Sequence, residues 1–292
     1  MAGDTSPASG AAVAGALAAL LRAPKFELIP LRNAFEQIAF LPPGATVTVT
    51  ASPAKGIEQT VELARRLQGL GFRAVPHLSA RMIRDRAHLR ELLARVAAAG
   101  IERAFVVGGD ADGPGEFPDG LALLRAMAEE GHGLREIGVP GYPQGHPDIP
   151  DERLLAALAD KAPFVDYVTT QMCFEARAIA GWIAARRAAG MTLPVHVGLP
   201  GVAELHKLML ISARIGVADS RRFLTKNVRL VGRLVRPGGY SPSGLLADLG
   251  PTVLDPAARI EGVHIYTFNQ VATTEEWRRR YLARLEAAGA GG

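Results

Sequence analysis

The stretch Ala104-Phe105-Val106-Val107-Gly108-Gly109-Asp110 is an apolar run that ends in two glycines and a carboxylate, and a helical pattern over Gly120–Glu130 follows it. The same order recurs at Ile137–Gly141, which ends in a loop rich in proline and glycine, and at Tyr167–Gln171, which ends in an amide. Polar groups at the ends of successive parallel strands converge on one rim of a barrel, where such folds carry out their chemistry. This pattern therefore predicts both the fold and the position of the site.

Eight strand-like runs of this kind alternate with helical patterns along the chain. The runs are Phe26–Pro30, Thr46–Ala51, Ala74–Leu78, Ala104–Gly108, Ile137–Gly141, Tyr167–Gln171, Pro194–Leu199 and Gly262–Phe268. The helical patterns include Ile57–Leu70, Arg86–Ala98, Gly120–Glu130, Glu152–Lys161, Glu175–Ala189 and Val202–Ile215. Strict alternation implies parallel strands with right-handed crossovers. The 292 residues are therefore predicted to form one domain, a single α/β (β/α)8 TIM barrel over residues 1–292, with an irregular insertion, Arg229–Pro256, before strand eight.

The N-terminal stretch Ala11–Leu21 is apolar, but it lacks the basic start of a signal peptide. It is also too short to cross a bilayer, which takes about 20 residues. We expect a short helix that closes the bottom of the barrel, no membrane contact and a cytoplasmic location.

The bulk composition argues against a disordered or fibrous protein. Hydrophobic residues make up 48% of the chain, charged residues 21%, and the net charge is +4, as in a soluble globular enzyme. The arginine clusters Arg186-Arg187, Arg221-Arg222 and Arg278–Arg280 lie in helical patterns, which favours solvated helix faces over an anionic ligand, and no nucleic-acid motif accompanies them. Cys173 is the single cysteine, so we expect no disulfide and no metal site.

Glu27 lies between apolar residues in the first predicted strand. A carboxyl group in an apolar strand is costly unless it is paired or functional. Its structural interpretation is a salt bridge inside the barrel. Its functional interpretation is a buried general acid.

Several polar residues at the other strand ends have the same two interpretations. Asp110 follows Gly109, whose missing side chain lets a flat ligand approach the backbone. Tyr142 and His146 suit stacking and phosphate contacts, or else stabilise their own loop. The amide of Gln171 can both donate to and accept from a heterocycle. His77 lies at the end of the third run, and taken alone it is best interpreted as a buried core histidine.

Taken together, the chain resembles the catalytic barrel of methylenetetrahydrofolate reductase from about Lys25 to Leu285. The resemblance rests on an ordered set of short motifs: Phe26-Glu27, Thr48-Val49-Thr50, Pro76-His77-Leu78, Gly109-Asp110, Tyr142-Pro143, His146-Pro147, Thr170-Gln171 and Tyr266-Thr267-Phe268-Asn269.

The resemblance implies a barrel that holds FAD at its C-terminal rim. NADH or NADPH reduces the flavin and leaves, and methylenetetrahydrofolate then takes the hydride on the same face. Glu27 would be the acid that opens the methylene bridge of the folate, Asp110 would tune the charge beside the flavin and the pterin, and Gln171 would bind the folate. The remaining flavin contacts implied are Thr50, His77, Gly109, Tyr142, His146 and Lys161.

The chain departs from the family pattern at several places. Gly108 replaces an arginine, and Ala51-Ser52-Pro53 replaces an aromatic-Gly-Ala turn, so we expect weakened FAD binding. Leu28-Ile29-Pro30 stands where the family has an aromatic residue and two prolines. Gln270 replaces an arginine that would meet the folate tail, so we expect a weaker contact there.

We therefore expect a flavoprotein oxidoreductase of one-carbon and methionine metabolism, with NADH as the donor and NADPH left open. One alternative is a flavin-free family member that passes hydride directly from NADH to the folate. Another is a barrel that binds folate or flavin without turnover. The sequence predicts no regulatory domain and leaves the oligomeric state open, a homo-oligomer included.

Overall fold

Short apolar runs form eight parallel strands that pair in chain order and close into a barrel between the last strand and the first. The computed structural model describes residues 7–111, 113, 115–146, 148–202 and 241–290. Its strands are β1 Lys25–Leu28, β2 Thr46–Val49, β3 Arg73–Ser79, β4 Arg103–Val107, β5 Glu136–Gly141, β6 Tyr167–Thr170, β7 Val195–Pro200 and β8 Ile260–Tyr266. The predicted (β/α)8 barrel is confirmed.

Helices alternate with these strands. They are α1 Pro7–Arg22, α2 Ala34–Ile38, α3 Ile57–Gly69, α4 Arg86–Ala98, α5 Gly120–Glu130, α6 Asp151–Lys161, α7 Ala176–Ala188, α8 Ser243–Leu254 and α9 Val271–Ala290. The boundaries follow from local chemistry. Asp119 caps α5 by accepting from two backbone N–H groups, and Gly131 ends it at a φ of 70°.

Part of the sequence prediction lies outside the described residues. This applies to most of the predicted helix Val202–Ile215, to Arg221-Arg222 and to residues 229–240 of the predicted insertion. The rest of that insertion contains α8 as an extra helix and ends at the start of a short 3-10 turn, Pro256–Ala258, before β8.

The first helix belongs to the outer layer of the barrel. Leu17 and Leu21 of α1 are buried with Val197 of β7 and Val263 of β8, in a cluster that also includes α8. Arg278 of α9 donates to the backbone oxygen of Leu21 at 2.7 Å. The predicted position across the bottom of the barrel is therefore wrong, because the apolar face of α1 packs against the side of the sheet. No helix in the described part of the chain is both long and apolar enough to span a membrane.

The inner face of the barrel is unusually polar. The Lys25 ammonium lies 2.8 Å from Glu136 across the barrel and 3.4 Å from the centre of the Tyr167 ring. Burial lowers the pKa of Lys25 to about 8, although Glu136 opposes the shift. His77 and His196 also lie inside the barrel, and burial lowers the pKa of each to about 3. Ionisable groups thus continue from the bottom of the barrel up to the rim where the candidate site residues lie.

Candidate active site

Glu27 is buried in β1 and contacts a histidine on the neighbouring strand. Its Oε2 lies 3.2 Å from Nε2 of His264, which is itself buried in β8. A neutral imidazole with its proton on Nε2 donates to the carboxylate, and the other tautomer accepts from a carboxylic acid. The contact is therefore compatible with Glu27 in either protonation state, as a proton donor requires.

The turn after β8 fixes the backbone on both sides of Glu27. The Thr267 hydroxyl donates to the Glu27 carbonyl. The Asn269 side chain accepts from the Ile29 N–H at 2.8 Å and donates to its carbonyl at 2.9 Å. Phe268 and Asn269 both have φ of 52°, which non-glycine residues rarely adopt. These contacts support the strained turn and position Glu27.

Tyr266 lies beside His264, with ring centroids 4.6 Å apart, and contacts the predicted folate-binding amide. Its hydroxyl donates to the Thr170 carbonyl at 3.1 Å and to Oε1 of Gln171 at 3.3 Å. Burial raises the pKa of Tyr266 well above its usual value, with Glu27 and Tyr142 adding to the shift. The Nε2 group of Gln171 has no partner in the described part of the chain, and Gln171 is exposed, so this amide can donate to a ligand.

The segment after β4 supplies an open strip of backbone beside Asp110. Gly109 has a φ of 85°, and a side-chain carbon there would lie 1.9 Å from Oγ of Ser79. A side-chain carbon at Gly108 would meet nothing within 4 Å. Only glycine fits at Gly109, and the space above Gly108 is open to a ligand.

Tyr142 and His146 face each other in the loop after β5. Their ring centroids are 5.5 Å apart in an edge-to-face arrangement. Burial raises the pKa of Tyr142 to about 12, and the charge of Asp110 adds to the shift, which places Tyr142 near the end of β4. Nδ1 of His146 accepts from the Asp148 N–H at 3.2 Å, so His146 also stabilises its own loop.

Lys161 reaches the same rim from the end of α6. It lines a cleft of about 270 Å³ with Tyr142, Trp182 and Arg186. Burial lowers the pKa of Lys161, and the charge of Asp119 opposes the shift.

The remaining predicted residues have less distinctive surroundings. The His77 ring lies 4.8 Å from that of Phe105 inside the barrel, and its buried Nε2 has no hydrogen-bond partner among the described residues. The Thr50 backbone bridges β1 and α3 through Leu28 and Thr60. Gln270 begins the turn into α9, and its buried Nε2 also lacks a partner within the described ranges.

The structure therefore brings together Glu27, His264 and Tyr266 on one side of the barrel mouth, and Gln171 lies between Tyr266 and the strand end before Tyr142. It brings Asp110 and Tyr142 together on the other. No cluster of three or more His, Cys, Asp or Glu side chains in the described ranges could hold a metal ion.

A family model described as methylenetetrahydrofolate reductase matches residues 23–218, about two thirds of the chain. The chain belongs to the methylenetetrahydrofolate reductase family. This match covers seven of the eight strands and most of the candidate site residues.

Similarity to individual members of the methylenetetrahydrofolate reductase family is more limited. The chain is 27% identical over 142 residues to methylenetetrahydrofolate reductase 2 of Saccharomyces cerevisiae. This alignment covers 46% of this chain but only 22% of the yeast protein.

Among solved structures, the chain is similar to a sialic acid aldolase from Ruminococcus gnavus, with 12% identity, 97% and 68% of the two chains covered and a TM-score of 0.45. A tryptophan synthase from M. tuberculosis shows 16% identity, 96% coverage of both chains and a TM-score of 0.46.

Sequence reasoning assigned no role to two residues of this family member's site. His264 contacts the acid, and Tyr266 contacts Gln171. Strand periodicity places both on the same face of β8, because successive side chains alternate between faces. This periodicity predicts that the two side chains share a face, but no local sequence pattern indicates which distant residues they contact.

Proposed function

We propose that this chain catalyses the reduction of methylenetetrahydrofolate to methyltetrahydrofolate with NADH or NADPH, using FAD. In this proposal residues 1–292 act as one catalytic barrel in cytoplasmic one-carbon and methionine metabolism. The observation that carries the proposal is the buried Glu27 carboxyl group, which contacts His264 at the mouth of the barrel. The opposite rim holds the glycine strip, which is the open backbone of Gly108 and Gly109. Family membership supports the folate as substrate.

The residues at the glycine strip fit a flavin. The backbone of Gly108 is open to a flat ring, and Gly109 has the positive φ that presents this strip. Beside it, the Ser79 hydroxyl and His77 Nε2 are buried without hydrogen-bond partners among the described residues. Buried polar groups are normally satisfied, so a ligand with polar edges suits this position. Tyr142, His146, Thr50 and Lys161 would hold other parts of the cofactor.

FAD, held by these residues, would supply the hydride-transfer chemistry between the nicotinamide and the methylene carbon of the folate. The protein contributes a proton. Glu27 gives its proton to the folate nitrogen that leaves the methylene carbon, and the resulting cationic carbon is the hydride acceptor. His264 holds the carboxyl group in position and stabilises the carboxylate that remains.

The other residues orient the substrate and adjust charge. Gln171 donates from Nε2 to the pterin while Tyr266 holds its oxygen. The exposed carboxylate of Asp110 stabilises positive charge that develops on the folate. Gln270 would lie towards the folate tail, as a neutral donor in place of a cation.

We further propose that FAD binds loosely, because Gly108 lacks the cationic side chain that the family has there. Protein purified without added FAD would then be partly empty. The same feature favours the second candidate, direct hydride transfer from NADH to the folate without flavin.

The test is steady-state NADH oxidation by the purified chain, with methyltetrahydrofolate measured by mass spectrometry. We expect product only with methylenetetrahydrofolate present, more of it when FAD is added, and a large loss in Glu27→Gln. The flavin-free route would be favoured if protein stripped of FAD forms product and added FAD does not increase the amount. Ligand binding without product would favour a non-catalytic barrel.

A further inference from the structure

Arg81 is fastened to the glycine strip from the neighbouring strand. It lies in a short 3-10 turn, Ala80–Met82, that follows β3. Its backbone N–H donates to the Gly108 carbonyl at 3.1 Å, and its Nε donates to the Ala111 carbonyl at 2.8 Å. Arg81 thus contacts both ends of the segment that includes Gly109 and Asp110, through its backbone at Gly108 and through its guanidinium at Ala111.

The charge of Arg81 has no carboxylate partner within ion-pair distance among the described residues. The nearby Arg86, by contrast, contacts Glu116 at 3.3 Å and Glu129 at 2.7 Å. Arg84 lies 3.8 Å from Glu58. Because Nε of Arg81 is occupied by the backbone, its two terminal nitrogens are left as a planar pair of donors on a half-buried side chain.

Lys161, at the end of α6, lies near the start of the same segment. A side-chain carbon at Gly120 would lie 3.6 Å from Cε of Lys161 and also 3.6 Å from the backbone nitrogen of Gly108. Arg81 and Lys161 therefore both lie beside Gly108 and Gly109, which have no side chains, and the next residue, Asp110, carries an exposed carboxylate. Two cations beside an open strip form a site suited to a doubly charged anion, and a guanidinium edge matches phosphate oxygens in geometry.

We propose that Arg81 binds the pyrophosphate of FAD and supplies part of the positive charge that Gly108 lacks. This assignment rests on the proposed flavin-dependent function. Lys161 is its partner beside the strip, and the fixed guanidinium loses little side-chain freedom when the phosphate binds.

The test compares binding of FAD and of riboflavin, which has no phosphate, to native protein, Arg81→Ala and Arg81→Lys by flavin fluorescence. We expect Arg81→Ala to weaken FAD binding roughly 10- to 100-fold, the range for a hydrogen bond between charged groups. Riboflavin binding should be unchanged. Salt should weaken FAD binding to the native protein more than to Arg81→Ala, because exposed charge pairs are screened. Arg81→Lys should recover part of the affinity.

Arg84→Ala is the matched control, an exposed arginine three positions along the chain, and should leave FAD affinity unchanged. Equal loss of FAD and riboflavin binding in Arg81→Ala would overturn the proposal, because Arg81 would then only support the loop through Ala111. Unchanged FAD affinity with a raised KM for NADH would also overturn it and assign the charge to the nicotinamide nucleotide. If the native chain binds no FAD while NADH still reduces the folate, both this assignment and the flavin in the proposed function fail.

Discussion

The two sides of the barrel mouth are built in opposite ways. The acid side, defined as Glu27, His264, Tyr266, Thr267 and Asn269, is tied together by hydrogen bonds within the protein. The cofactor side, defined as Gly108, Gly109, Asp110, Tyr142 and Lys161, is open backbone and polar groups with few protein partners.

This difference indicates which groups must be held in a fixed position before a ligand binds. A group that gives a proton must be held at a fixed distance and angle by its own protein. A cofactor cradle can instead be completed by the cofactor, whose phosphates and ring supply the missing contacts. Substitutions on the acid side should therefore impair chemistry or folding, and substitutions on the cofactor side should chiefly change affinity.

The largest effect should come from Glu27→Gln, which keeps the size of the side chain and removes its proton. Transfer to the folate should fall by about 10²- to 10⁴-fold, the usual range for a lost general acid. Flavin reduction by NADH should be nearly unchanged, because it needs no proton from Glu27. Stopped-flow measurement of each half-reaction checks this. Equal losses in both would make Glu27 a structural residue and remove the contrast between the two sides.

Asn269→Ala should be the next largest change, and it acts on stability. It leaves the Ile29 N–H without its buried acceptor, removes one of the two donors to the Ile29 carbonyl and keeps the unfavourable positive φ. We expect a loss of about 2 to 4 kcal/mol in the free energy of unfolding, measured with urea. Asn269→Gly is the control, since it relieves φ but loses the same bonds. Asn269→Ala should be less stable than Asn269→Gly by the cost of the positive φ, and an Ala variant as stable as the native protein would mean that neither the bonds nor φ matters.

Gln171→Ala tests the bridge between the two sides. Losing one buried or charge-assisted hydrogen bond costs roughly 1–3 kcal/mol, so the folate KM should rise by about 5- to 100-fold. The NADH half-reaction should be unaffected. An effect confined to NADH would contradict the assignment of Gln171 to the folate.

A smaller effect concerns the barrel interior beneath both sides. Burial lowers the pKa of His77 and His196 to about 3, below that of an unfolded histidine, about 6.5. Between these values the unfolded chain binds protons that the folded chain does not, so acid favours unfolding. His196→Phe should reduce the slope of unfolding free energy against pH by up to about 1.4 kcal/mol per pH unit between pH 3 and 6.5. An unchanged slope, from urea unfolding at several pH values, would mean that His196 protonates in the folded state.

The sequence predicted the fold well because the barrel repeats one local pattern. The helices Arg86–Ala98 and Gly120–Glu130 have the predicted bounds, since their start and stop signals are local. The first strand begins one residue earlier than predicted, at Lys25, because the backbone there pairs with β2 and β8, and the Lys25 side chain is buried against Glu136 across the barrel. That partner is 111 residues away, so no local pattern indicates it.

The candidate site was only partly predictable for the same reason. Strand ends identified Asp110 and Gln171, and the apolar neighbours of Glu27 identified that carboxyl group, because both signals are local. His264 is 237 residues from Glu27, and only the closed barrel brings them into contact. Arg81 looked like one of many arginines, because its importance comes from the glycines on the next strand.

The most direct test of the whole account is the visible absorbance of the FAD-loaded protein under anaerobic conditions. NADH is added first, and methylenetetrahydrofolate second. The account predicts that NADH bleaches the flavin and that the folate restores its colour as methyltetrahydrofolate forms. Oxidation of NADH by the folate with no change in the flavin spectrum, in protein shown to contain FAD, would contradict it.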